Sequence, residues 1–100
     1  MKPVILHREA LEEFDAAAAH YAKIDPALGQ RFYDAVDRLI ADACASPGTF
    51  RYISKPARRH FACDFPYGII YLERPDDIWI VAVMPLKREP SYWKQRLPQP

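Results

Sequence analysis

The chain has 100 residues, half of them hydrophobic and 27% charged, with a formal net charge of +1. That length is a single domain over residues 1–100 with apolar material for one core, and the charge is too small for a protein that grips RNA through many phosphates. No apolar run approaches the roughly 20 residues needed to span a bilayer, and no signal peptide precedes the charges at His7-Arg8-Glu9, so the sequence reads as cytoplasmic. Cys44 and Cys63 have no metal-ligand spacing and read as small, partly buried apolar residues, with no metal or cofactor expected.

Val4-Ile5-Leu6 reads as a short strand. A helix then opens at His7 or Arg8 and runs to about Ile24, with Leu11, Phe14, Ala18 and Tyr21 as its apolar stripe. Glu9, Glu12, Glu13 and Asp15 sit in its first turns, where the helix dipole favours negative charge. Asp25-Pro26 stops that helix and starts another, with Asp as N-cap and Pro at the first helical position. The second helix runs to about Ala45 on a stripe of Leu28, Phe32, Val36, Leu39 and Ala43, tolerates Gly29 in its first turn, and ends at Ser46-Pro47-Gly48. So short a connection makes an antiparallel helical hairpin whose apolar face needs a sheet to cover.

The rest of the chain supplies that sheet. Phe50 to Ile53 is a short strand, and Arg58 to Phe65 the next, with Phe61, Cys63 and Phe65 on one face and Arg58, His60, Ala62 and Asp64 on the other. Tyr67 to Glu73 and Ile78 to Met84 complete a meander, with turns at Pro66 and Pro75-Asp76-Asp77. Pro85 should stop the last strand, and Pro90 can open a short helical turn around Tyr92-Trp93-Lys94. The fold class is α+β: an N-terminal helical hairpin on a mainly antiparallel sheet, closed by a short C-terminal helical turn.

Charge is uneven along this plan. Residues 1–50 carry five Lys/Arg against eight Asp/Glu, a balance of −3; residues 51–100 carry nine against five, a balance of +4. Lys87, Arg88, Lys94 and Arg96 crowd one short stretch beside Tyr92 and Trp93, an arrangement suited to a phosphate-bearing or acidic partner. Each has a plainer reading as well. Arg58 and Arg59 can discourage strand-edge pairing, His60 can be an ordinary surface or core histidine, Arg88 can pair with Glu89 or with an acidic helix residue, and Tyr92 and Trp93 can anchor the C-terminal turn.

Taken in order, these elements resemble the RelE/ParE toxin superfamily, the toxin halves of bacterial type II toxin–antitoxin modules. The resemblance is carried by His7-Arg8-Glu9-Ala10-Leu11-Glu12-Glu13-Phe14, Tyr21, Leu28-Gly29-Gln30-Arg31-Phe32, Ser46-Pro47, Arg58, Phe65-Pro66-Tyr67, Ile70-Tyr71, and Arg88-Glu89-Pro90 with Tyr92-Trp93 and Arg96. It implies neutralisation by a cognate antitoxin, a small and acidic protein with a DNA-binding N-terminus, and hence a hetero-oligomer. It implies one of two activities, cleavage of messenger RNA on the ribosome, as in RelE-like members, or poisoning of DNA gyrase by binding, as in ParE-like members; a third reading is a toxin fold that has lost toxicity.

Cleavage through a 2′-hydroxyl needs a group to remove a proton, one to stabilise the phosphorane and one to protonate the leaving oxygen. By resemblance Arg88 falls on the arginine of the last strand region, Arg59 near a central-strand lysine, and Tyr92 or Trp93 near the C-terminal tyrosine. A second lysine position holds Phe61, the arginine position on the next strand holds Gly68, and a histidine common near position 85 is replaced by Pro85. Arg59, Arg88 and Tyr92 are thus the catalytic candidates of the ribonuclease reading, while Arg58, Lys87, Arg88, Trp93, Lys94 and Arg96 are the candidate partner-binding set. The departures favour the ParE-like reading.

Overall fold

A histidine side chain starts the first helix. In the computed structural model, which describes residues 2–89 and 91–97, His7 Nδ1 accepts from the Glu9 N–H at 3.0 Å, and α1 runs over Arg8–Ile24. Asp25 then serves both helices. Its N–H donates to the Tyr21 carbonyl at 3.1 Å to close α1, and its carboxylate accepts from the Ala27 N–H at 3.1 Å to open α2, Pro26–Ala45. Pro26 needs no donor at this position and its fixed φ suits the first turn.

The α1 stripe keeps Phe14, Ala18 and Tyr21 against the core as expected but not Leu11. Ala10, Phe14 and Ala17 are buried, Tyr21 is half-buried, and Leu11 is 47% exposed. Helical geometry allows either face. The small side chains at 10 and 17 win because they let α1 lie close to the sheet, whereas Leu11 would hold it off. Gly29 has a larger role than tolerance of a first turn. A Cβ there would lie 2.6 Å from Ala22 Cβ and 2.8 Å from Ala22 Cα, so the glycine sets how closely the helices approach. Phe32, Tyr21 and Phe65 pack edge-on or tilted between the hairpin and the sheet.

Five strands make one sheet in the order β1-β5-β4-β3-β2: β1 Val4–Leu6, β2 Tyr52–Ser54, β3 Ala57–Phe61, β4 Tyr67–Glu73 and β5 Ile78–Pro85. All neighbours pair antiparallel except β1, which lies parallel to β5 at the edge. The helices cover one face, with Ile69, Tyr71, Ile78, Ile80 and Val83 in the same apolar cluster as Phe14, Phe32 and Val36. The opposite face carries a second cluster of Ala57, Ile70, Leu72, Trp79, Val81, Ala82, Met84 and Trp93. A register shift between Ile70 and Tyr71 leaves Val81 without its own partner on β4, and both Val81 and Ala82 join that second cluster. Strands buried on both faces read as unbroken apolar runs, which is why Ile78–Met84 lacks alternation.

Five strand ends move, both of β2, both of β3 and the last of β5, which takes in Pro85. β2 begins at Tyr52, and β3 covers Ala57–Phe61, ending well before Phe65. Phe61 and Phe65 therefore do not share a face. Phe61 lies opposite Gly68 on the far side, while Phe65 returns through the bend after β3 to the helical core. A 3₁₀ turn at Lys94–Arg96 follows the turn at 91–93, a little later than the expected helical turn. The expected role of Pro90 lies outside the described residues.

Candidate functional site

The C-terminal segment is folded onto the second face of the sheet. Trp93 is fully enclosed there, so this residue, expected at a partner surface, is a core anchor instead. Arg96 is the second correction to that set. Its guanidinium is 8% exposed and grips Glu13 with two bonds of 3.0 Å, while Nε lies 2.8 Å from Glu9. The same group donates to the Val81 carbonyl at 2.9 Å. Glu13 in turn accepts from the Val83 N–H at 3.1 Å and from the Tyr92 hydroxyl at 2.7 Å. β1 pairs with β5 only as far as Ile80, and beyond it these side chains take the place of a strand.

That network sets the chemistry of Tyr92. Burial first, then the hydrogen bond and charge of Glu13, push its phenol well above the ordinary tyrosine range. Its proton is already committed to a carboxylate. For Arg96, burial pulls downward but the hydrogen bond and charge of Glu13 outweigh it, so the cation is held more firmly than usual. Arg88 lies over the Tyr92 ring at 4.0 Å with its side chain at the exposed rim, and Lys87 and Lys94 are exposed beside it in the chain.

Arg58 and Arg59 point to opposite faces. Arg58 pairs across strands with Tyr71 of the helical core, donates to the Phe50 carbonyl at 2.7 Å and to the Tyr52 hydroxyl at 2.9 Å, and lies 3.9 Å from the Tyr52 ring. It is thereby tied to β2. Arg59 pairs with Ile70 of the second cluster and lies 5.1 Å from the Phe61 ring. The structure thus puts Arg59 on the face that Tyr92 packs against and Arg58 on the other.

Phe61 and Gly68 are direct cross-strand partners. A Cβ on Gly68 would meet Phe61 Cδ1 at 2.1 Å, so the aromatic ring occupies the room of the missing side chain. The two positions where the resemblance to RelE-like members implies cationic groups are therefore one contact, filled by a single phenyl ring.

One feature escaped the sequence reading. A cavity of about 570 Å³ lies between α2 and the bend after β3, lined by Arg31, Arg38, three aspartates (Asp34, Asp42 and Asp64) and His60 together with Leu28, Leu39 and Phe65. His60 Nε2 is 2.9 Å from Asp42 Oδ2, and its ring stacks on Phe50 at 3.8 Å. The available signal was the placement of Leu28, Arg31, Ala35, Arg38, Leu39 and Asp42 along a single helical face. No group of three metal-ligating side chains occurs among the described residues, and no helix there is long and apolar enough to cross a membrane.

Two helices packed on one face of a mainly antiparallel sheet, with a basic C-terminal segment locked on the other, define an α+β fold of the toxin type. The chain matches the family described as ParE toxin of type II toxin-antitoxin system, parDE, over residues 4–90, and it belongs to that family within the RelE/ParE superfamily. Among solved structures it is similar to a chain of the chromosomal ParDE TA system from P. aeruginosa, with 17% identity and a TM-score of 0.73 over 85% of this chain and 96% of that one. No curated protein matches the sequence.

Proposed function

We propose that this type II toxin arrests growth by binding its target, DNA gyrase, and is neutralised by a cognate antitoxin that is small, acidic and DNA-binding at its N-terminus. The observation that carries the binding reading is the Phe61 ring lying on Gly68. It removes two cationic positions from the face where a scissile phosphate would need them. Tyr92 adds to this, because its phenol is raised far above the ordinary range and bonded to Glu13, which leaves a poor proton donor. Arg59, Lys87, Arg88 and Lys94 remain as cations for contact with the target.

Two assays test the reading. Purified toxin should inhibit supercoiling by gyrase in vitro, and the antitoxin encoded beside it should relieve that inhibition. Primer extension on translating ribosomes should show no toxin-dependent cuts. Cleaved codons, or gyrase that ignores the toxin at micromolar concentration, would overturn binding as the mode of action.

A further inference from the structure

We infer that the β2–β3 hairpin is a contact surface for the phosphate backbone of duplex DNA, made by Arg51, Lys55, Arg58 and Arg59. Residues 43–63 contain no aspartate or glutamate, and these four cations fall within nine residues of that stretch. The hairpin forms the sheet edge opposite β1, with Arg51 and Lys55 exposed and Arg58 and Arg59 half-buried. Among the described residues no carboxylate lies within ion-pair distance of any of the four. Glu73 on β4 pairs with Lys2 at 3.3 Å, and Asp42 on α2 is engaged by His60 at 2.9 Å.

The cations are set against one another instead of against acids. Tyr52 is the ladder partner of Arg58, and one step along, the Arg59 N–H donates to the Arg51 carbonyl at 2.9 Å. Arg51 and Arg59 therefore stand directly across the two strands. Lys55 and Arg58 converge on the Tyr52 ring, at 5.1 and 3.9 Å from its centre, and strand alternation puts Tyr52 and Arg58 on the opposite face from Arg51 and Arg59. Like charges directly opposite each other destabilise a sheet, and a bound anion relieves that repulsion. Arg58 is aimed by the Phe50 carbonyl and the Tyr52 hydroxyl, neutral acceptors that fix its guanidinium without cancelling the charge.

The rest of the surface narrows the class of anion. Ile53 is packed into the second cluster, and the Tyr52 ring is taken by two cations. The hairpin thus offers neither the apolar anchor of a protein interface nor a free ring for the stacked bases of a single strand. Charge on both faces of an edge suits the closely spaced phosphates of a duplex, read without regard to sequence. Four contacts are few, in keeping with a net charge of +1. The gyrase reading above enters only in the choice of DNA over RNA, since that target works on DNA.

The test uses the full chain and a fluorescein-labelled DNA duplex of about 20 base pairs, titrated by anisotropy from about 50 mM salt upward. Binding should be saturable, and log K should fall against log[salt] with a slope of about −3 to −4, as four phosphate contacts require. Arg51→Gln combined with Lys55→Gln should weaken binding at least about tenfold and reduce the slope by about 2, with thermal melts unaltered. Arg31→Gln combined with Arg38→Gln removes the same charge from α2 and should leave affinity within about twofold. Absence of saturable binding at the lowest salt, or equal losses for the hairpin and α2 pairs, overturns the assignment. So does tighter binding of a single strand or of an RNA duplex of the same length. The two readings fail separately. A chain that inhibits gyrase but does not bind the duplex overturns this surface and leaves the target; a chain that binds the duplex but is ignored by gyrase overturns the target and leaves this surface.

Discussion

Arg96 and Glu13 lie 83 residues apart in sequence and form a two-pronged ion pair, each prong 3.0 Å long. The pair also completes β5, since Glu13 takes the Val83 N–H and Arg96 the Val81 carbonyl. An open strand edge invites pairing with other chains, and here two side chains close it. The price is a charge pair with little access to water.

Glu13→Ala should therefore destabilise the fold by about 3 kcal/mol, because it leaves a nearly buried guanidinium with only half-exposed Glu9 as counter-charge and strands the Val83 N–H and the Tyr92 hydroxyl. Urea denaturation gives the magnitude, and hydrogen exchange at the Val83 amide gives the location. The paired replacement Glu13→Leu with Arg96→Met should recover much of the loss, since no buried charge is left without a partner and Glu9 is half-exposed to water. Equal losses for the single and paired variants would count against an ion-pair role.

Gly29 and Gly48 should respond in opposite senses to alanine. At 29 the new Cβ meets the Ala22 backbone, so the helices must part, and a cost of about 1–3 kcal/mol should exceed the gain in helix propensity. At 48 a Cβ meets nothing within 4 Å and φ is not positive, so the variant should gain roughly 0.5 kcal/mol from a less flexible unfolded chain. Chemical denaturation of the two variants side by side checks the sign.

Gly68→Ala should displace the Phe61 ring and cost about 1–3 kcal/mol. In a Phe61→Ala background the same change should cost much less, because the colliding atom is gone. A double-mutant cycle reads this directly, and additive losses would mean that the ring and the glycine are not coupled.

Tyr71 makes stability fall at alkaline pH. Burial holds its pKa up to about 12 against an ordinary 10, and its hydroxyl donates to the Pro47 carbonyl at 2.6 Å. The folded state retains the proton that the unfolded chain releases. The contribution is fully present below pH 10 and is lost as pH rises from about 10 to 12, amounting to about 3 kcal/mol. Tyr71→Phe should be less stable at neutral pH by about 1 kcal/mol and should show a shallower decline between pH 9 and pH 11 in urea titrations.

Arg88→Glu should leave the melting temperature within about 2 °C, since the side chain is exposed and stacked only on Tyr92. Gyrase inhibition should weaken at least about tenfold through the loss of a rim cation and the gain of an opposing charge. An unchanged inhibition curve would remove Arg88 from the target surface.

Local chemistry made the order of elements readable. Asp25-Pro26 announces a stop and a start, unbroken β-branched runs announce buried strands, and Pro85 announces a strand end; all appear as read. These signals act over a few residues, so the α+β architecture and the family could be recognised from the chain alone. The partnerships could not. Whether Leu11 or Ala10 faces inward depends on how closely α1 approaches the sheet, and the need for Gly29 depends on Ala22 across the hairpin. A cluster of cations in sequence says nothing about which of them will be enclosed, and only packing separated Arg96, bound to Glu13 from another layer, from Arg88 at the rim. Propensity is written along the chain, whereas burial and charge pairing are decided by neighbours that the fold brings from far away.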